Sequence, residues 1–394
     1  MFRSPRTGTG PTTPPVRTRL RSLRALAFAA LTVTAAAEAA PPNAAAGRPA
    51  AKDAYSHKTV RRKEFGWGAT SYWLFEPADP QPESAPTVVL NHGWLAVNPG
   101  AYGAWIEHLV RSGKIVIYPR YQTDAFTRPV DFLPNAVTAV TDALDVLDAA
   151  PGHVRPDRNR FALIGHSAGG NLAAQMAAVA EKARLPKPRA VVALMPGEVQ
   201  PFREPDLSRI PADTLLVVTV AEDDRVVGDA RAREIFTEAS AIPPSRKKFV
   251  YYRSDLHGVP RLVAHHLAPT AAHPGLDTGD GPFRGFQMTR AEVNAFDTAG
   301  FWRLADVTLD AAFSGRTLDD ATGRGELFRH LGYWSDGRPV VRPVVGDDLT
   351  QMPRVIPPRG VRLLKWSPDL AVPDLFPETD APVLSRKSED VIQR

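Results

Sequence analysis

Six residues, Gly165-His166-Ser167-Ala168-Gly169-Gly170, constrain this chain more than any other stretch of it. They follow directly on the apolar run 161–164 and precede an Ala-rich segment, 171–184, with helical character. A G-x-S-x-G run in that context predicts a sharp strand–turn–helix corner. The glycines let backbone segments approach closely and relieve the turn. The serine is then raised above a sheet edge at a helix N-terminus, where the dipole favours developing negative charge. Ser167 is therefore the candidate nucleophile.

The surrounding chain alternates strand-like and helix-like segments. Residues 58–65 and 70–75 read as early strands. Residues 87–91, 115–118, 161–164, 190–194, 215–220 and 248–252 are short apolar runs ending in turns, as buried strands do. Between them, residues 102–111, 132–150, 171–184 and 230–240 read as helices; in the second, Val137, Val140, Leu144 and Leu147 recur at three- and four-residue intervals. Such alternation predicts a three-layer α/β fold with a mostly parallel central sheet and helices on both faces. Ligands of such sheets bind at the carboxyl ends of the strands, so chemistry is sought immediately after each one.

A serine hydroxyl needs a base to take its proton. In this kind of fold the partners follow in the order serine, acid, histidine. His257 stands in Asp255-Leu-His-Gly258, just past the last predicted strand, and is the expected base; His265 and His266 are expected in a surface helix, and His273 and His330 lie further on. Asp224, three residues beyond Ala221, is the expected acid, with Asp223, Glu222 and Glu198 as alternatives. A tetrahedral oxyanion needs donors. The backbone N–H of Ala168 and that of Trp94, in Asn91-His-Gly-Trp94, are the expected pair. The Trp94 side chain, Tyr121 and His166 are candidate substrate contacts; Tyr121, Phe126 and Phe132 read equally well as acyl-pocket wall or as core. His92 reads as a structural histidine. Fewer than twenty residues separate the strand end at Met195 from the next strand at about Thr214, too few for a large helical cap.

His92-Gly93-Trp94, the 165–170 corner, residues 221–227 and His257-Gly258 together resemble the α/β-hydrolase superfamily, over residues 60–265. Within it the chain is similar to secreted esterase- and dienelactone-hydrolase-like members. That resemblance implies hydrolysis of a carboxylic ester, small or polymeric, through an acyl-enzyme with no cofactor. The same machinery would serve a peptidase or an acyltransferase, and the same fold a non-catalytic binding protein.

Charge and composition narrow the remaining classes. The net charge of +5 arises entirely in the first forty residues, from Arg3, Arg6, Arg17, Arg19, Arg21 and Arg24 against Glu38. The body is neutral, so no nucleic-acid partner is expected. The Arg-rich start, the apolar stretch 25–37 and Ala37-Glu38-Ala39 read as a signal peptide cut after residue 39. That stretch falls short of the roughly 20 apolar residues a bilayer span requires. A spacer over 40–56, a catalytic domain over 57–290 and a C-terminal extension over 291–394 complete the division. The chain has no cysteine, so export would bring no disulfides. Glu222, Asp223 and Asp224 form an acidic run without a His-x-x-x-His partner, and no metal site is expected.

Overall fold

Strands that are apolar at nearly every position need cover on both faces. In the computed structural model, which describes residues 55–149, 151–198, 205–282 and 284–357, such segments join one nine-stranded sheet. The expected signal peptide, most of the spacer and residues 358–394 lie outside the described residues.

The strands are β1 (Thr59–Phe65), β2 (Tyr72–Ala78), β3 (Ser84–Asn91), β4 (Ile115–Pro119), β5 (Arg155–His166), β6 (Pro188–Leu194), β7 (Leu215–Ala221), β8 (Lys247–Tyr252) and β9 (Val344–Gly346). Their order across the sheet is β1-β2-β4-β3-β5-β6-β7-β8-β9. The six strands from β4 to β8 run parallel, whereas β1 and β2 at one edge and β9 at the other pair antiparallel. The mostly parallel sheet predicted from the sequence is thus the one observed.

Successive residues of each strand feed opposite layers. In β5, Phe161 and Leu163 join one apolar layer, and Ala162 and Ile164 join the other. The first layer takes the inner faces of α2 (Phe132–Ala149), α3 (Ala168–Val179) and α4 (Ala230–Glu238); the second takes α1 (Gly103–Arg111). Burying each Val, Leu or Ile contributes about 1.5–3 kcal/mol. No helix among the described residues is long and apolar enough to cross a membrane.

The C-terminal segment closes the second layer. Here a π-helical turn at Phe296–Phe301 runs into an α-helix, Trp302–Phe313. Asn294 caps the start, its Oδ1 accepting the Phe296 N–H, while Asp297 Oδ2 accepts the Asn294 N–H. Beyond the helix, the chain supplies β9, whose Val344, Val345 and Gly346 lie opposite Tyr251, Val250 and Phe249. The buried Lys248 ammonium holds this segment down, 2.7 Å from Asp319 and 2.8 Å from Asp347.

Candidate active site

The corner after β5 is built as its glycines require. A Cβ on Gly165 would lie 1.9 Å from the Gly169 carbonyl oxygen, and one on Gly169 would lie 2.2 Å from that of Asn91. Only glycine lets α3 sit this close to the ends of β3 and β5. Ser167 itself has φ +57° and ψ −124°, a conformation that a residue with a side chain adopts only when its surroundings impose it. Two backbone bonds impose it: the Ser167 N–H donates to Leu194 O at 2.9 Å, and Gly197 N–H donates to Ser167 O at 3.1 Å. The hydroxyl stands at the N-terminus of α3, as predicted.

His266, and not His257, faces that hydroxyl. His266 Nε2 lies 2.8 Å from Ser167 Oγ, and its Nδ1 lies 2.7 Å from Asp224 Oδ2. A carboxylate only accepts, so Nδ1 carries the ring proton and Nε2 presents its lone pair to the serine. Ser167, His266 and Asp224 are 8%, 7% and 1% exposed. Asp224 Oδ1 accepts the N–H groups of Val226 and Val227, at 2.9 and 3.0 Å. Burial pulls this carboxyl up, but the His266 hydrogen bond and charge, with the two N–H donors, hold it below the usual carboxylate value.

The expectation for His257 is corrected by the path of the chain. After β8, residues 255–262 form a hairpin, bridged between Asp255 and Leu262, with Gly258 and Pro260 in its turn. His257 rides on that turn, its Nε2 2.6 Å from Asp336 Oδ2 and its Nδ1 3.2 Å from the Arg338 guanidinium. Asp255 fastens the hairpin by accepting from Trp334 Nε1 and the Val341 N–H, both at 2.9 Å. The chain then returns to the sheet edge, where Asp223 N–H donates to Ala264 O at 2.8 Å, and delivers His266 two residues later. Residues 265 and 266 are not in a helix, and His266 is buried rather than on the surface. The signal in the sequence was the turn chemistry of Gly258-Val-Pro260, which marks a detour, followed by the apolar neighbours of His266.

The loop after β3 is pinned residue by residue. The Gly93 N–H donates to Tyr102 Oη at 3.0 Å, that of Leu95 to Gln122 Oε1 at 2.7 Å, and that of Ala96 to Gly93 O at 2.9 Å. Trp94 is the exception in this stretch: its N–H has no acceptor among the described residues, and neither has that of Ala168. Leu95 is held at φ +62° in this loop.

The candidate substrate contacts separate. The Trp94 side chain is half-buried and packs on the first apolar layer. Tyr121 is fully buried, stacked on His92 at 4.1 Å, and its hydroxyl donates to His92 O at 2.5 Å. It buttresses the loop from behind and cannot line a pocket. His166 is also buried, with both ring nitrogens engaged by protein groups. Phe132 belongs to the core and Phe126 is 92% exposed. Both His92 ring nitrogens face backbone carbonyl oxygens, those of Gly93 and Arg120, which pull its pKa up, while burial pushes it down to about 4. The ring is fully buried and engaged by the protein on both sides, a structural part of the loop. Of the alternative acids, Asp223 accepts from Ser254 Oγ and Glu222 from the Ser254 N–H, while Glu198 is exposed.

With this geometry the comparison with known families is direct. Residues 90–261 match the model of a family described as alpha/beta hydrolase fold. The chain has the alpha/beta hydrolase fold. The match spans Ser167 and Asp224 and stops five residues short of His266, and it supports a hydrolase. No curated protein matches the chain.

Proposed function

We propose that this α/β hydrolase is a serine hydrolase that cleaves carboxylic esters through an acyl-enzyme. The observation that carries the reading is the continuous line from Ser167 Oγ through His266 to Asp224, at 2.8 and 2.7 Å. Ser167 Oγ attacks the ester carbonyl carbon as His266 Nε2 takes its proton. Asp224 stabilises the imidazolium so formed. The unengaged N–H groups of Trp94 and Ala168 receive the oxyanion, each such donor being worth about 10²–10³ in rate. His266 then gives its proton to the departing alcohol. A water molecule, deprotonated by the same ring, releases the acid and restores Ser167. The Arg-rich leader and its small-x-small site add export to the proposal.

Hydrolysis of a p-nitrophenyl ester series by the protein beside Ser167→Ala tests this, with fluorophosphonate labelling as a second readout. The expected result is turnover and labelling in the wild type and neither in the variant. Wild-type protein that is inert to every ester and unlabelled at Ser167 would overturn the reading. Secretion in a host that cleaves signal peptides, with the new N-terminus read by mass spectrometry, tests export; a chain retained uncut in the cytoplasm refutes it.

A further inference from the structure

A second hydrogen-bonded line runs behind the first. Tyr102, which ends a 3₁₀ turn at Pro99–Tyr102, directs its hydroxyl between the loop after β3 and the serine corner. The Gly93 N–H donates to Tyr102 Oη at 3.0 Å. Tyr102 Oη lies 2.7 Å from His166 Nδ1, and His166 Nε2 lies 2.7 Å from the backbone oxygen of His266. The direction of every bond is fixed. A carbonyl oxygen can only accept, so His166 carries its proton on Nε2. A neutral imidazole has one N–H, so Nδ1 accepts and the Tyr102 hydroxyl donates to it. Its oxygen then receives the Gly93 N–H.

We propose that Tyr102 and His166 are positioning residues for the reaction, tying the oxyanion loop to the histidine base. One end of the line is the residue before Trp94, whose N–H is the proposed oxyanion donor. The other end is the carbonyl of His266 itself. The distance from donor to base around Ser167 is thereby set by buried polar bonds rather than by loop packing alone. This rests on the function proposed above.

Two further observations support the assignment. Gly93 lies directly on the line: a Cβ there would come 3.2 Å from Tyr102 Oη, 3.3 Å from His166 Nδ1 and 3.4 Å from Ser167 Cβ. The rings of His166 and His266 are also close, with centroids 4.9 Å apart. The reaction places a positive charge on His266, and a second imidazolium at that distance would oppose it. Burial first, and the neighbouring His266, hold His166 down to about 3. The Tyr102 donor occupies the one lone pair through which His166 could take a proton. Filling space would need none of this, since a buried polar group costs stability unless it is bonded.

The test is steady-state ester kinetics of Tyr102→Phe, His166→Gln and His166→Leu beside the wild type. Glutamine offers one donor and one acceptor in place of the two ring nitrogens; leucine fills similar space and offers neither. Tyr102→Phe is expected to lower kcat about tenfold and leave KM within about twofold. His166→Gln should keep at least about a third of the wild-type kcat, and His166→Leu should lose about a hundredfold. Should His166→Leu not fold, Tyr102→Phe, which deletes one oxygen, decides the matter alone. A wild-type kcat in Tyr102→Phe, or equal losses in the glutamine and leucine variants, overturns the positioning role and leaves the hydrolase reading standing. Wild-type protein without turnover or labelling instead removes that reading, and this proposal with it.

Discussion

Asp224 meets His266 across 42 residues of chain, its Oδ2 2.7 Å from the ring Nδ1 while its Oδ1 takes two backbone N–H groups of its own loop. One carboxylate thus orders both the turn after β7 and the histidine that returns from beyond β8. Losing it should be felt in chemistry and in folding.

Asp224→Asn should lower kcat by about 10⁴-fold, because an amide donor in place of the carboxylate favours the wrong tautomer of His266. Its stability effect should depend on pH. The native carboxyl is held below its ordinary value, so the native state gains from its ionisation at neutral pH and loses that gain as pH falls through the native pKa. Calorimetry at neutral pH and again below the ordinary carboxylate range checks this. The deficit of the variant in Tm should shrink on acidification; a constant deficit would contradict the linkage.

The two histidines of this region should behave oppositely. His266→Ala should cost at least about a thousandfold in kcat. His257→Ala should stay within about threefold of wild type and lose less than about 1 kcal/mol, since its partner Asp336 lies in solvent. Ester turnover of the two variants side by side settles which ring is the base. A reversed pattern would refute the assignment.

Gly258 has no room for a side chain. A Cβ there would stand 1.8 Å from the Trp334 ring. Gly258→Ala should therefore destabilise the protein by about 1–3 kcal/mol, read as a lower urea midpoint. An unchanged midpoint would mean that the hairpin is not seated on Trp334.

Lys248→Met should cost about 1–3 kcal/mol in the same measurement. That is less than the 3–5 of a fully buried pair, because Asp319 and Asp347 still reach water when left unpaired. A variant as stable as the wild type would show that the ammonium does not hold the extension.

The parts of this molecule that could be read in the sequence are those decided locally. Continuous apolar runs such as 215–220 announce buried strands, and a serine among closely spaced glycines announces its own corner. Asp224 was legible for the same reason, standing just past the end of β7. His266 was not, because the hairpin at 255–262 inserts a detour whose length only its tertiary anchors on Trp334 and Val341 determine. In the sequence Tyr121 and His166 are candidate substrate contacts, since Tyr121 follows the strand 115–118 and His166 adjoins Ser167. Tyr121 is buried between His92 of the loop after β3 and Phe132 of α2, and His166 between Tyr102 and the backbone oxygen of His266. Nor was β9 legible, being three residues long and flanked by proline; it is a strand only because β8 offers it hydrogen bonds.

That last strand bears on where the chain can be cut. The line from Ser167 through His266 to Asp224 is complete by residue 266, yet a chain ending before Val344 would leave the outer side of β8 open, with Phe249, Val250 and Tyr251 lacking their neighbours. A bare strand edge recruits strands from other molecules. Light scattering of such a truncation should report self-association, and a monomer would refute the idea. Three residues from the far end of the described chain thus stand where a strand of a second copy would otherwise pair with β8.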